Sequence, residues 1–214
     1  MVKKQRANTI RKLKALETKD RLFDAAFDLL MEHDINDISI KMITTKAAVS
    51  IGTFYTYFDS KFDVFYQTYS LADRYFDSKV RLQLTQETCL QRILYFFDQY
   101  ANYSANISGL KIVRILFNAS NKYFNRKHDF GMLPLLQEII KTGQQRGEFT
   151  CEHNAEYIAD FLMISARGLV YHWATMDGAY DLQQRMHAYC MLWIRSFLPV
   201  LTDAHNSSTP PPGL

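Results

Sequence analysis

Apolar residues recur at helical spacing along most of the chain. Leu22, Phe23, Ala26, Phe27, Leu29 and Leu30 trace one face of a first helix ending near residue 34, with Thr18 as its expected N-cap and Asp20 in its first turn. Residues 35–38 lead to Ser39, the expected N-cap of a two-turn helix that ends at Lys46. A turn at residues 47–49 precedes Ser50, which caps a third short helix through about Phe58. Ser60 and Asp63 have the spacing of a capping box and open a long helix to about residue 84. Five further helices are predicted over residues 86–105, 108–123, 133–146, 154–176 and 182–201, with Gly147 and the Asp177-Gly178 pair as stop signals. The reading is all-α: three short helices followed by a bundle of about six longer ones.

Composition agrees and narrows the choices. Only 8 glycines and 5 prolines punctuate 214 residues, three of the prolines together at Pro210, Pro211 and Pro212, so few turns are available for a β-rich fold. A hydrophobic share of 48% is enough for a buried core. No charge-free run exceeds 12 residues, and the one at residues 99–110 is polar, so no membrane span and no membrane partner are expected. The basic N-terminus leads into no apolar stretch and is not read as a signal peptide. Cys89, Cys151 and Cys190 are odd in number and contain no C-x-x-C, which fits a reducing cytoplasm. The six histidines have no metal-ligand spacing, and phosphate loops, G-x-S-x-G and paired carboxylates are missing. An enzyme, a metal site and a cofactor are therefore not expected.

Charge is distributed unevenly. Residues 1–21 hold eight of the 25 basic side chains (Lys3, Lys4, Arg6, Arg11, Lys12, Lys14, Lys19, Arg21) and two of the 22 acidic ones (Glu17, Asp20), a net of +6. The rest keeps 17 basic against 20 acidic groups, a net of −3. A positive head on a mildly negative body points to a polyanion partner for the head; a solvated tail is the plain alternative. Residues 1–17 read as a basic flexible arm that could extend the first helix, and residues 204–214, with their Ser, Asn and Pro, as a disordered tail.

Two short helices joined by a tight turn have the helix-turn-helix geometry, whose second helix enters the DNA major groove. On an idealised helix with Phe54 facing the core, Ser50 and Phe58 lie about 40° to either side. Gly52 and Thr56 then point outward, flanked by Thr53 and Tyr55. The segment Ile43-Thr44-Thr45-Lys46-Ala47-Ala48-Val49-Ser50-Ile51-Gly52-Thr53-Phe54-Tyr55-Thr56-Tyr57-Phe58-Asp59-Ser60-Lys61 resembles the TetR-family signature, with glycine, aromatic and lysine positions in register over about residues 21–64. Gly147-Glu148-Phe149 before a long penultimate helix with Trp173 is a weaker point of likeness.

The resemblance implies homodimeric transcription repressors with a small-molecule pocket in the C-terminal helices. It places a DNA-binding domain over residues 18–64 and a ligand-binding and dimerisation domain over residues 65–203. It assigns Tyr55 and Lys61 to phosphates, and Gly52, Thr53, Thr56 and Tyr57 to the groove-facing surface. Thr18 and Lys19 fall where the family's first helix touches the DNA backbone. Ala48 departs from the usual turn glycine, and Ile51 from a common lysine. No Arg, Lys, Asn or Gln lies between Ser50 and Phe58, so the strong bidentate base readers are missing. Readout is expected from the hydroxyls of Ser50, Thr53 and Tyr57 and from methyl contact by Ile51 or Thr56. Affinity is expected from phosphates, through Lys41 beside Ser39, Lys46, Tyr55, Lys61 and the arm; Lys41 and Lys46 also fit simple solvated positions.

Residues 157–176 carry Asp160 and Arg167 as their only Asp, Glu, Lys or Arg, and the last helix carries Met191, Trp193 and Phe197. Two helices this apolar suit a four-helix interface about a two-fold axis, or else a monomer's interior. The middle helices are rich in aromatics, and Phe65, Tyr66, Tyr69, Phe97, Tyr100, Tyr103, Phe117, Tyr123, Phe161 and Tyr171 are the candidates for lining a pocket for an aromatic or lipophilic effector. Ordinary packing competes at each of them. The favoured function is a cytoplasmic homodimeric repressor released from double-stranded operator DNA by a small molecule. The rivals are a helical binding protein or enzyme that does not bind DNA, and a regulator controlled by a protein partner.

Overall fold

The computed structural model describes residues 2–117 and 130–199, with side chains from residue 9 onward. Its helices are α1 (Val2–Glu32), α2 (Ile40–Lys46), α3 (Ile51–Tyr57), α4 (Lys61–Tyr75), α5 (Cys89–Asn102), α6 (Gly109–Leu116), α7 (Met132–Gln145), α8 (Ala155–Thr175) and α9 (Leu182–Arg195). The fold is all-α, three helices followed by six among the described residues. Ser39, Ser50, Ser60, Thr88, Asn154 and Asp181 each accept a backbone N–H at the start of a helix. The capping box at Ser60 is complete: Asp63 takes the amides of Asp59 and Ser60 at 3.1 and 2.9 Å.

Three expectations change. Thr18 is not an N-cap, because α1 begins at Val2 and the arm is helical; the Thr18 hydroxyl donates to the Lys14 carbonyl at 2.8 Å. The long helix expected to residue 84 loses α-register at Phe76–Val80, a π-helical stretch, then tightens over Arg81–Gln83. The helix expected over residues 86–105 likewise gives way to a π-helical stretch at Tyr103–Ser108. The end of the 108–123 prediction, Tyr123, the last two residues of the 182–201 helix and the 204–214 tail lie outside the described residues.

Two cores form. The first joins α1, α2, α3 and α4 around Leu22, Ile43, Phe54, Phe58 and Phe65. It does not stop at residue 64, because Phe65 and Tyr69 of α4 and Ile112, Ile115 and Leu116 of α6 belong to it. The second, larger core lies among α5, α7, α8 and α9. The face of α6 turned to that side contributes Val113, so α6 stitches the two together.

Candidate DNA-reading surface and effector cavity

The turn between α2 and α3 is a Schellman motif: Val49 N–H donates to the Thr44 carbonyl at 3.0 Å, and Ala48 N–H to Thr45 at 3.2 Å. The motif puts its C′ residue in the left-handed region, and here that residue is Ala48, with φ +53°. The departure from glycine therefore leaves the turn intact and costs strain at one position. Gly147, with φ +73°, fills the same role behind α7 without that cost.

Beyond the turn, α3 buries Phe54 and leaves Ile51, Gly52, Tyr55 and Thr56 exposed, with Thr53 and Tyr57 half-buried. Their hydroxyls are partly engaged. Ser50 Oγ accepts from Thr53 N–H at 3.0 Å and sits 2.9 Å from Thr53 Oγ1, and Thr56 Oγ1 donates to the Gly52 carbonyl at 3.1 Å. What α3 offers outward is a methyl-and-acceptor surface around one glycine.

The lysines divide. Lys41 is exposed. Lys46 pairs with Asp28 at 3.3 Å, and Lys19 lies 5.6 Å over the Phe58 ring. The Lys61 ammonium donates to the carbonyls of Ile35, Asn36 and Ile38 at 2.7, 3.3 and 2.8 Å. A cation in the first turn of a helix calls for nearby negative charge, and these carbonyl oxygens supply it. Lys61 thereby ties α4 to the α1–α2 link, a bond over 23 or more positions that residue spacing does not reveal.

A cavity opens between α4, α6, α7 and α8. It encloses about 760 Å³ of atom-free space, part of it open to solvent, of which only about 70 Å³ admits the centre of a water molecule, so its walls stand close. Of the candidate aromatics, Tyr69, Tyr100, Tyr103 and Phe117 line it. Five do not. Phe65 and Tyr66 pack in the first core, and Phe97 is fully buried in the second. Phe161 and Tyr171 lie on the outer face of α8, against Phe197 and Phe117 with centroids 5.4 and 6.1 Å apart. Aromatic content alone does not tell these places apart.

The lining also holds Thr68, Asp73, Met163 and Arg167. A signal for the first two was present: Thr68 and Asp73 interrupt the otherwise apolar face of α4 that buries Val64, Phe65, Tyr69 and Ala72. Asp73 Oδ1 accepts Met132 N–H at 3.1 Å and so caps α7, whose own N-cap, Gly131, has no side chain. Gly131 is required there: its φ is +97°, and a Cβ would collide with the Asp73 carboxylate. Tyr69 donates its hydroxyl to the Leu116 carbonyl at 3.3 Å, joining α4 to α6. Burial, then the Asp73 charge, pushes the Tyr103 hydroxyl up to about 12, and burial raises Tyr100 despite Arg167 nearby. Both phenols therefore stay protonated donors.

Comparison with known proteins matches this geometry. Residues 22–67 match the family model for bacterial regulatory proteins of the tetR family, the span that holds α2, α3 and the start of α4. That span is a tetR-type helix-turn-helix segment. The HTH-type transcriptional repressor BepR of Brucella suis is 22% identical over 187 residues, covering 80% of this chain and 87% of its own. The crystal structure of Thermus thermophilus FadR, a TetR-family repressor in complex with lauroyl-CoA, superposes with a TM-score of 0.70 at 18% identity, over 90% of this chain and 98% of that one. Bacillus subtilis FadR in complex with stearoyl-CoA gives 0.64 at 18% identity, over 81% and 96%. No group of three or more His, Cys, Asp or Glu able to hold a metal occurs among the described residues, and no described helix is long and apolar enough to cross a membrane.

Proposed function

We propose that this regulator is a homodimeric cytoplasmic repressor whose α3 helices occupy successive major grooves of a palindromic operator, and that a small lipophilic molecule in the cavity releases it. The observation that carries the reading is the route through α4. Its start is fixed to α3 by the capping box across Asp59-Ser60, and its far end supplies Tyr69 and Asp73 to the cavity wall. A molecule that shifts that wall moves α3 with it. The mainly apolar lining, and the acyl-CoA complexes formed by both FadR proteins, support a lipophilic effector.

The outer face of α8 supports the dimer. Tyr157, Phe161, Ile164, Gly168 and Tyr171 fall within an arc of about 80° on that helix. The four large residues are exposed, and Gly168 has open space above it. Tyr189 and Leu192 continue the apolar patch on α9, while Trp193 is half-buried against its own core. Such a contiguous patch is unusual on a monomer.

Selection of bound sequences from a random DNA pool tests the reading. The expected outcome is a pseudo-palindrome with half-site centres about one helical turn, or a multiple, apart. Affinity should fall steeply with salt. Enrichment of no sequence, or of single half-sites by monomer, would overturn it.

A further inference from the structure

One face of α1 is open along its length. On an idealised helix Ile10, Leu13, Leu16, Phe23 and Phe27 fall within an arc of about 140°. Leu22, Ala25, Ala26 and Leu29, which α1 buries, lie on the opposite side. Ile10, Leu13 and Leu16 are 54%, 56% and 52% exposed and belong to neither core. Phe23 and Phe27 are half-buried, with ring centroids 6.0 Å apart, and they line a groove together with Leu71 of α4 and Ile107. Core packing supports α1 only from Leu22 onward. A helical segment without such packing draws little stability from propensity alone, so the first half of α1 calls for a partner.

Charge is ordered along the same face. Lys12 and Lys14 flank its first half on either side, and Asp20 and Asp24 lie within its second half. None of these four makes an ion pair among the described residues, whereas Asp28, at the edge of the face, pairs with Lys46 at 3.3 Å. Asp20, Asp24 and Asp28 follow one another at four-residue spacing, where like charges repel. A helix that is apolar and basic at one end, apolar and acidic at the other, is complementary to its own reversed copy. Parallel copies would set lysine beside lysine and aspartate beside aspartate. Antiparallel copies bring Lys12 and Lys14 of each to Asp20 and Asp24 of the other, and Leu13 and Leu16 to Phe23 and Phe27. The contact is then reciprocal, as a two-fold interface requires.

We propose that α1 docks antiparallel on α1 of a second copy of this chain, at a surface separate from the outer face of α8. DNA accounts for the cations alone: its phosphates leave Ile10, Leu13 and Leu16 in water and are opposed by Asp20 and Asp24. While α1 is paired, Lys12 and Lys14 are withdrawn from DNA phosphates.

Sedimentation equilibrium of the full-length protein over a concentration series, at about 0.05 M and about 0.5 M salt, tests this. At high salt the exposed ion pairs are screened, and only other faces associate. At low salt the mass should rise with concentration toward about twice its high-salt value. Lys12→Glu with Lys14→Glu, and Asp20→Lys with Asp24→Lys, should each lose that rise. An equimolar mixture of the two variants should regain it, because acidic arm then meets basic row and basic arm meets acidic row. All four side chains are exposed, so melting temperatures should stay near the parent's. Leu13→Ser should weaken the pairing by about tenfold or more, since the contact occurs twice. A mass indifferent to salt, a rise that survives either charge reversal, or a mixture that behaves as its components would overturn the proposal. Weaker DNA binding by Lys12→Glu with Lys14→Glu, with no change in mass at either salt, would overturn it in favour of DNA as the sole partner of the arm.

Discussion

The caps and side-chain bonds of α3 close within a few residues, whereas two bonds that shape the cavity wall reach across the chain. Ser50 caps Thr53, Thr56 returns to Gly52, and Asp63 closes on Asp59 and Ser60. In the cavity the Asp73–Met132 bond spans 59 positions and the Tyr69–Leu116 bond spans 47. A reading helix built from local contacts keeps its shape while it is carried as a rigid piece. A cavity built from distant elements changes shape whenever any of them moves, which is what a sensor needs.

The largest effect expected from breaking this division lies at the proposed dimer face, because a dimer that reads two half-sites would multiply affinity without new contacts. Ile164→Glu together with Leu192→Glu should yield a monomer by sedimentation and lower operator affinity by about a hundredfold or more. A dimer that persists would place the interface elsewhere. Next is Gly131→Ala, where a Cβ meets the Asp73 carboxylate at a positive φ. A loss of about 2–3 kcal/mol, roughly 5–10 °C in melting temperature, is expected, against a smaller loss for a Gly147→Ala control, whose φ is also positive but which has open space.

Lys61→Met sharpens the comparison from the reading side. Losing the three carbonyl partners should cost about 1–3 kcal/mol of stability in denaturant titration. Reduced operator affinity with unchanged stability would instead return Lys61 to the phosphate backbone. The smallest effect is at Ala48: glycine should relieve the left-handed strain and stabilise by about 0.5–1 kcal/mol, measured by thermal melting. A destabilised variant would mean that the strain is outweighed by the flexibility glycine gives the unfolded chain.

Legibility followed the same division. The caps at Ser39, Ser50 and Ser60, the turn at Ala48 and the outward set on α3 were readable because each depends on neighbours within one or two turns. Thr18 was misread because a plausible capping residue is indistinguishable, without tertiary information, from one inside a longer helix. Half of the candidate aromatics missed the cavity since helical spacing gives a face but not what that face meets: Phe97 met the second core, and Phe161 met the outside. The more telling marks were polar, Thr68 and Asp73 on an apolar face of α4, together with Arg167 on a nearly uncharged helix. The π-helical stretch at Tyr103–Ser108, which sets Tyr103, Ser104 and Ser108 along the cavity, leaves no trace in hydrophobic periodicity.

Ile112, Ile115 and Leu116 reach from α6 into the core under the reading helices, while Val113 between them belongs to the other core. The helix-turn-helix head is consequently not a detachable part. A fragment cut after α4 would bare the apolar sockets that these three side chains fill, and a graft onto a foreign sensor would have to bring α6 along with it. Inheritance and engineering alike face the same constraint: new specificities at either end must be reached by substitutions that leave this shared helix seated, rather than by exchanging whole modules.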